Sequence, residues 1–140
     1  ITLAARSATF LQAFAKLGLV PDSGSTWFLP RLVGDARARA LAMLAEKITA
    51  EQAEAWGLIW KVVDDAKLMD EANALACHLA TQPTKGLARI KQALNESLTS
   101  SLGVQLDLER DLQRELGHTN DYREGVAAFF EKRPPKFVGR

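Results

Sequence analysis

Apolar residues recur at helical spacing over most of the chain, and this periodicity restricts its fold more than any other feature. The spacing predicts helices over Asp35–Glu46, Ala66–Ala80 and about Asp121–Lys132. Two further stripes lie between them, one at Leu87, Ile90, Leu94 and Leu98 and one at Val104, Leu108, Leu112 and Leu116. With a short helix after residue 22 and another near residue 50, the sequence predicts a mostly helical chain.

Three short segments are β-branched or apolar without helical spacing. They predict a strand at Ile1–Ala5, an extended piece around Thr9–Phe14 and a buried strand at Leu58–Val63. Two or three short strands do not form a stable independent sheet, because their edges need partner strands. We therefore expect the sheet to be completed by residues outside this sequence.

Small polar residues and glycines mark the helix boundaries. Thr49 and Gln52 have the spacing of a capping box, and Gly57 stops the helix that this box opens. Gly34 is expected to close one helix and Asp35 to cap the next. The predicted apolar face of that next helix consists of Ala40, Leu41 and Leu44.

The composition excludes several classes of function. A formal net charge of +1 argues against nucleic-acid binding or a membrane-surface role driven by a basic face. No apolar run reaches the roughly 18 residues of a membrane span. The single cysteine, Cys77, cannot form an internal disulfide, which favours a reducing compartment, the cytoplasm by default.

No residue cluster has metal-ligand or triad spacing. Cys77 and His78 lie on or beside an apolar helical stripe, and His118 follows a glycine that ends a helix. We interpret all three as structural and predict no metal site. The charge run from Asp107 to Glu115 alternates in sign, which is typical of a solvated face or a subunit contact.

Several separate segments form an ordered set along the whole chain: Ile1–Phe10, Lys16–Thr26, Leu29–Gly34, Ile48–Ala53, Trp56–Ile59, Tyr122–Val126 and Phe129–Arg133. Together they resemble enoyl-CoA hydratases and isomerases, the crotonase superfamily. The resemblance implies the C-terminal half of an α/β crotonase fold, with a ββα-spiral core and a helical trimerisation region. It also implies a division into residues 1–64, the end of the core, and 65–140, which mediate oligomerisation and cover the active site.

The resemblance implies chemistry on a coenzyme A thioester. Two backbone N–H groups hold the thioester oxygen as it becomes an enolate, and a carboxylate takes and returns the proton. Preorganised donors of this kind contribute about 10²–10³ in rate each. The expected partners are the acyl-CoA substrate and copies of the chain in a homotrimer or hexamer. No separate cofactor is expected, because coenzyme A belongs to the substrate.

Asp22 is the candidate acid and base. From the residues alone, an aspartate before Ser-Gly-Ser-Thr is typical of a helix N-cap. The resemblance instead implies catalysis, because Asp22 matches the position of the aspartate in the family's isomerases and dehalogenases. Leu17, Val20 and Trp27 would then line the substrate pocket and exclude water around the carboxylate.

Phe14 matches the position of the second glutamate in the hydratases of the superfamily. An aromatic ring there removes half of the carboxylate pair that orients water, so the resemblance favours isomerisation over hydration. Phe14 is assigned to the substrate pocket, and its alternative is an ordinary core residue of a strand.

Phe129 and Lys132 match positions that reach the adenine and phosphate end of coenzyme A in the family. An ammonium beside a phosphate is a favourable contact. The alternative is a buried Phe and a solvent-facing Lys on an amphipathic helix. Arg133 fits either interpretation.

Three hypotheses follow. The first is an acyl-CoA isomerase that uses Asp22, and the second is an enoyl-CoA hydratase that uses an upstream glutamate. The third is a helical oligomerisation and lid module, since the oxyanion donors resemble features placed before Ile1 and the isolated chain should then be inactive.

Overall fold

The computed structural model describes every residue from Ile1 to Arg140 and confirms the predicted mostly helical chain with few short strands. The strands are β1 (Leu3–Ala5), β2 (Thr9–Phe10), β3 (Ile48–Thr49) and β4 (Lys61–Val63). The helices are α1 (Ser25–Val33), α2 (Asp35–Leu44), α3 (Ala50–Ala55), α4 (Leu68–Ala80), α5 (Thr84–Ser97), α6 (Leu102–Gly117) and α7 (Asn120–Glu131). Short 3₁₀ helices cover Ala13–Leu17 and Asp65–Lys67. No helix has both the length and the apolar character needed to cross a bilayer.

The chain divides into two compact units, Ile1–Asn73 and Ala74–Arg140. All four strands lie in the first unit, and the boundary falls within α4. The division between residues 64 and 65, which separates functional regions in the family resemblance, stays a prediction.

Two minimal sheets organise the first unit. β1 pairs with β4 in parallel, with Ala4 opposite Val62, and β2 pairs with β3 in antiparallel, with Phe10 opposite Ile48. Each sheet has only two strands, which is fewer than a sheet needs for independent stability. Within residues 1–140, Ala4 of β1 and Ile48 of β3 share a core with residues of α1 and α2.

The predicted strands were too long. Residues 58–60 are not a strand, because the N–H groups of Leu58 and Ile59 both donate to the carbonyl of Ala53 and close the turn after α3. The N–H of Trp60 donates to the carbonyl of Thr2, 3.0 Å away, just before β1. The predicted extended piece likewise ends at Phe10, and a 3₁₀ helix follows.

The core of the first unit lies between α1, α2 and the strands. It consists of Ala4, Leu29, Val33, Ala38, Leu41, Ile48, Ala50, Ala53 and Ile59. The predicted apolar face of α2 was wrong in part, since Ala40 is exposed and Leu44 is 63% exposed. Ala38, Leu41 and Ala45 are buried instead, and α2 ends at Leu44 because Ala45 has a left-handed φ of 51°.

The capping box was predicted correctly and the Asp35 cap was not. The N–H of Gln52 donates to the Thr49 hydroxyl at 3.2 Å, and the Thr49 N–H donates to the Gln52 side chain at 3.0 Å. Gly34 is the N-cap of α2, and Asp35 is the first helical residue. Its carboxylate accepts from Arg39 Nε at 2.8 Å, and this bond lowers the pKa of Asp35.

The second unit has the predicted helices but little enclosed core. Ala128 is its one fully buried apolar residue, while Ile90, Leu94 and Val104 of the predicted stripes are exposed. α5 and α6 are joined by Glu115, which pairs with Lys85 and Arg89 at 3.0 Å each. The stripes were therefore correct as helical periodicity and wrong as a guide to burial within this chain.

Candidate functional site

The loop that carries Asp22 begins at a tight 3₁₀ helix. This helix, Ala13–Leu17, ends at Gly18, whose φ of 69° is left-handed. The N–H groups of Gly18 and Leu19 donate back to the carbonyls of Ala15 and Phe14 at 3.2 and 3.0 Å. The backbone thereby reverses direction before residues 19–21 lead to Asp22.

A four-residue turn then sets the direction of α1. The carbonyl of Asp22 accepts from the N–H of Ser25 at 2.9 Å, and the two central residues have positive φ, 52° at Ser23 and 79° at Gly24. Positive φ at both central positions is the pattern of a type I′ turn. A left-handed conformation costs a residue such as Ser23 about 1–2 kcal/mol. Backbone strain of this kind is often stored next to functional groups.

Gly24, not Asp22, caps α1. The carbonyl of Gly24 accepts from the N–H groups of Trp27 and Phe28, each at 2.9 Å. A side chain at this position would lie 3.2 Å from the Phe28 ring, so both the φ angle and the space favour glycine. The alternative interpretation of Asp22 as a side-chain cap of α1 was therefore wrong.

The Asp22 carboxylate is left unused by the fold of this chain. It is exposed, it forms no ion pair and it accepts no hydrogen bond from residues 1–140. By contrast, Asp35, Asp65 and Asp121 all accept hydrogen bonds that stabilise local structure. Asp22 is therefore available for chemistry.

The apolar surroundings expected of Asp22 are not enclosed within this chain. Leu17 is 72% and Val20 73% exposed. Trp27 is half-buried, with its ring 4.8 Å from that of Phe28 and under the Arg31 guanidinium at 3.9 Å. Of the predicted pocket residues on this loop and helix, the structure holds Trp27 firmly and leaves Leu17 and Val20 facing outward.

Phe14 lies in the 3₁₀ helix and not in a strand, which corrects the prediction of a strand core residue. Its ring is half-buried. The position has no carboxylate, and its backbone carbonyl accepts from the N–H of Leu19 in the turn that precedes Asp22.

A cleft of about 240 Å³ opens between α1 and α2. Pro21 and Ser25 lie on one wall, and Asp35 and Arg39 lie on the other. Asp22 does not line this cleft, although its neighbour Pro21 does. No sequence motif indicated the cleft, because it depends on the packing angle of two helices.

The second candidate region is the C-terminal end of α7. The N–H of Arg133 donates to the carbonyl of Ala128 at 3.1 Å, and the N–H of Lys132 donates to the carbonyl of Phe129 at 3.3 Å. This bond pattern is the Schellman motif, which requires a left-handed residue at Lys132, where φ is 53°. Glycine is the usual residue there, so a lysine costs stability at this position.

Lys132 and Arg133 have opposite roles in this helix end. Arg133 forms a two-pronged ion pair with Glu124, with Nη to oxygen distances of 2.6 and 2.9 Å, and its Nε donates to Glu131 at 2.5 Å. Lys132 is exposed and forms no ion pair in the chain. Of the two interpretations left open for Arg133, the structure favours the structural one.

Glu124 holds this end together. Its carboxylate accepts from Arg133 and from the N–H of Lys136 at 2.7 Å. The hydrogen bonds from Arg133 first, and that from the Lys136 amide second, lower the pKa of Glu124 to about 2.

Phe129 points to solvent and is 80% exposed, so its alternative as a buried helix residue was wrong. Its ring meets that of Phe130 edge to face, with centroids 5.7 Å apart. Both rings lie on a mainly apolar cavity of about 440 Å³ in the second unit, which is also lined by Tyr122 and Phe137. Phe129 and Lys132 thus lie at one helix end, with Asp22 in the other unit.

The remaining singled-out residues form no site. Cys77 and His78 are exposed on α4, and His118 is exposed at the end of α6. Residues 107–115 form surface ion pairs, in which Arg110 contacts Asp107 and Asp111 at 2.7 and 3.0 Å.

The whole chain, residues 1–140, matches the family described as Enoyl-CoA hydratase/isomerase. The chain belongs to this family, which confirms the resemblance to the crotonase superfamily.

Its relatives include enzymes with different named reactions. The 1,2-epoxyphenylacetyl-CoA isomerase of Escherichia coli (strain K12) is 60% identical over 140 residues, which are 100% of this chain and 53% of that protein. A "Probable enoyl-CoA hydratase" of Rhodobacter capsulatus is 51% identical over 140 residues, 100% of this chain and 54% of that protein. The crystal structure of an enoyl-CoA hydratase/isomerase from Cupriavidus metallidurans CH34 has a TM-score of 0.93 and 37% identity, covering 99% of this chain and 52% of that one. The chain spans about half the length of the curated relatives it matches.

The low pKa of Glu124 predicts an acid-sensitive helix end. A carboxyl whose pKa falls from 4.5 to about 2 on folding contributes stability above pH 4.5, and that contribution is lost as pH falls to about 2. We expect the Tm difference between the wild type and Glu124→Gln to be constant above about pH 5 and to shrink between pH 4.5 and 2. Thermal unfolding by circular dichroism over this pH range measures it.

Glu96→Gln is the matched control, because Glu96 is an exposed carboxylate on α5 without an ion pair. Its Tm difference should not follow the same pH window. A Glu124→Gln difference that stays constant down to about pH 2 would show that the ion pair does not stabilise the fold.

Proposed function

We propose that this chain forms part of an acyl-CoA isomerase in which Asp22 moves the proton. The observation that carries the proposal is the Asp22 carboxylate itself, which is held on a strained turn and used by no other residue of the chain. A carboxylate that the fold does not use can exchange a proton without disturbing the structure around it. The isomerase named among the relatives, at 60% identity, supports the same reaction class.

The proposed chemistry follows from the thioester. Removal of a proton next to the thioester carbonyl, or cleavage of a bond there, places negative charge on the carbonyl oxygen. Backbone N–H donors stabilise that oxygen as an enolate, and we place these donors outside residues 1–140. In double-bond relocation Asp22 takes the proton from one carbon and returns it to another, so that no atom is gained or lost overall. In epoxide opening Asp22 delivers the proton to the oxygen released as the C–O bond breaks, and takes it back when the oxygen forms its new bond.

The absence of an acid at Phe14 supports isomerisation. Hydration needs a base that activates water and an acid that protonates the substrate, usually two carboxylates. The half-buried Phe14 ring cannot supply the second one. We therefore propose proton relocation, or epoxide opening and rearrangement, as the reaction.

The particular substrate that we propose is 1,2-epoxyphenylacetyl-CoA, in the degradation of phenylacetate. The name of the Escherichia coli relative supports it. We also propose that the full-length enzyme is a cytoplasmic homotrimer or hexamer that needs no cofactor besides the coenzyme A of its substrate.

We propose that Phe129 and Lys132 contact the nucleotide end of the coenzyme A. Lys132 occupies a left-handed position at a cost in stability, and its ammonium has no acidic partner. Phe129 exposes nearly its whole ring one turn before it, where an adenine could stack. Neither feature benefits the fold of the chain, which supports a role in binding.

Replacing Asp22 tests the proposed proton transfer. Asp22→Asn in the full-length enzyme should lower kcat for isomerisation by about 10²–10⁴, because the amide cannot act as a base. Its Tm should hardly change, since the carboxylate bonds to nothing in the chain. The control is Asp70→Asn on α4, which removes another exposed carboxylate without an ion pair. Near-normal turnover of Asp22→Asn would rule out its catalytic role.

Replacing Lys132 tests the nucleotide contact, because stability and binding should change in opposite directions. Lys132→Gly relieves the left-handed strain and should stabilise the protein by about 0.5–1 kcal/mol. The same change should raise KM for the coenzyme A thioester about tenfold, through loss of a charged contact. A thioester of pantetheine, which lacks the nucleotide, should be turned over as by the wild type.

Lys91→Ala removes the charge of another exposed lysine without an ion pair and is the control for net charge. If Lys132→Gly and Lys91→Ala change KM equally, Lys132 makes no specific contact.

An enoyl-CoA hydratase is the second candidate, favoured by the 51% identical relative with that description. We expect the full-length enzyme to form little 3-hydroxyacyl-CoA from crotonyl-CoA, since Phe14 removes one carboxylate. Rapid hydration, measured as the loss of absorbance of the enoyl thioester, would instead favour the hydratase. The isolated chain of residues 1–140 should show neither activity.

A further inference from the structure

The last residues of the chain, which we call the C-terminal strap (residues 134–140), run back along α7. In the second turn of α7, the carboxylate of Glu124 accepts from the N–H of Lys136 of the strap. At the start of α7, the N–H groups of Val138 and Gly139 donate to the two oxygens of the Asp121 carboxylate at 2.7 and 2.9 Å. The N–H of Asp121 in turn donates to the carbonyl of Arg140 at 3.2 Å. The strap is therefore attached at two points, one turn apart, in the first half of α7.

The packing under the strap is close. Asp121 is only 5% exposed, and it is the one buried charged residue of the chain. A Cβ on Gly125 would lie 3.6 Å from the Phe137 ring, so the ring packs directly against the helix. Gly139 has a left-handed φ of 77°, and a Cβ there would be 2.6 Å from the Thr84 hydroxyl. The strap has little freedom to shift along α7.

Glu124 joins the strap to the helix end. One of its oxygens accepts from both Arg133 and the Lys136 amide, and the other accepts from the second guanidinium nitrogen. The residues on the strap side of Lys132 are thus fixed at two points. Because Arg133 follows Lys132 directly, this ion pair restricts the direction in which the backbone leaves Lys132.

Arg133 also controls the charge around Lys132. The two carboxylates that pair with Arg133 are Glu124 and Glu131, and Glu131 directly precedes Lys132. While both are paired with the guanidinium, neither holds the Lys132 ammonium, which makes no ion pair in the chain. The ammonium stays free for an anion from outside.

We infer that Glu124 is a positioning residue, which acts through Arg133 and the C-terminal strap to present Lys132 and Phe129 to the nucleotide of the coenzyme A thioester. The inference rests on the proposed nucleotide contact of Lys132. It adds that this contact depends on a carboxylate that touches no substrate atom.

Glu124→Gln tests the inference, because the change in net charge and the loss of positioning predict opposite changes in KM. Glu124→Gln makes the region more positive by one charge, so electrostatic attraction alone would strengthen binding of the phosphates. Loss of the two-pronged ion pair frees the Arg133 side chain and the backbone that leaves Lys132, so that the ammonium is no longer held in one position. We expect KM for the coenzyme A thioester to rise about fivefold with kcat unchanged, and the pantetheine thioester to be unaffected.

Glu71→Gln is the matched control, because it makes the same charge change and breaks the Lys61 ion pair of 2.6 Å in the first unit. It should leave KM for both substrates unchanged. If Glu124→Gln does not fold, as judged by circular dichroism, Arg133→Lys replaces it. The same rise in KM is expected, because lysine keeps the positive charge but cannot form the two-pronged ion pair of the guanidinium.

Lys132→Gly distinguishes a failure of the proposed nucleotide contact from a failure of the positioning role of Glu124. If Lys132→Gly raises KM for the coenzyme A thioester and Glu124→Gln leaves it unchanged or lowers it, the positioning role of Glu124 is wrong. If Lys132→Gly itself leaves KM unchanged, the proposed nucleotide contact is wrong, and the positioning role is rejected with it.

Discussion

Left-handed backbone at the ends of helices is the constraint on which this structure depends. The chain changes direction at Gly18, at Ser23 and Gly24, at Ala45, at Gly57 and at Lys132, and each of these residues has a positive φ. Glycine adopts this conformation without a steric penalty, but Ser23, Ala45 and Lys132 do not. Ala45 is buried and contributes its methyl group to the core, which offsets the cost. Ser23 and Lys132 are exposed, and they lie beside the two proposed parts of the site.

The carboxylates of the chain separate into those that hold the fold and those, Asp22 among them, that bond to nothing within it. Asp121 and Glu124 bind backbone amides of the strap, and Asp65 accepts from the Ser7 amide. Asp22 lies on an equally ordered turn, yet only its backbone takes part in that turn. This freedom from internal bonds is what the proposed proton transfer by Asp22 requires.

Local interactions account for what could be predicted. The capping box of Thr49 and Gln52 joins residues three apart, so its spacing alone identified it. The helices of the second unit follow from the 3.6-residue period, and their limits agree with the prediction to within a few residues. Asp22 and Lys132 were found only through resemblance to a family, because their residue types are common at turns and surfaces.

The sequence by itself determined the helical character of the chain, the places where glycines end helices and the family to which it belongs. These properties depend on near neighbours and on ordered motifs. The tertiary structure decided that residues 58–60 form a turn, because their amides bond to Ala53 and Thr2. It likewise decided that Gly24 and not Asp22 caps α1, and that Arg133 is paired while Lys132 is free. Each of these outcomes depends on which of several hydrogen-bond or ion-pair partners a group contacts in the folded chain. Residue spacing in the sequence does not specify that partner.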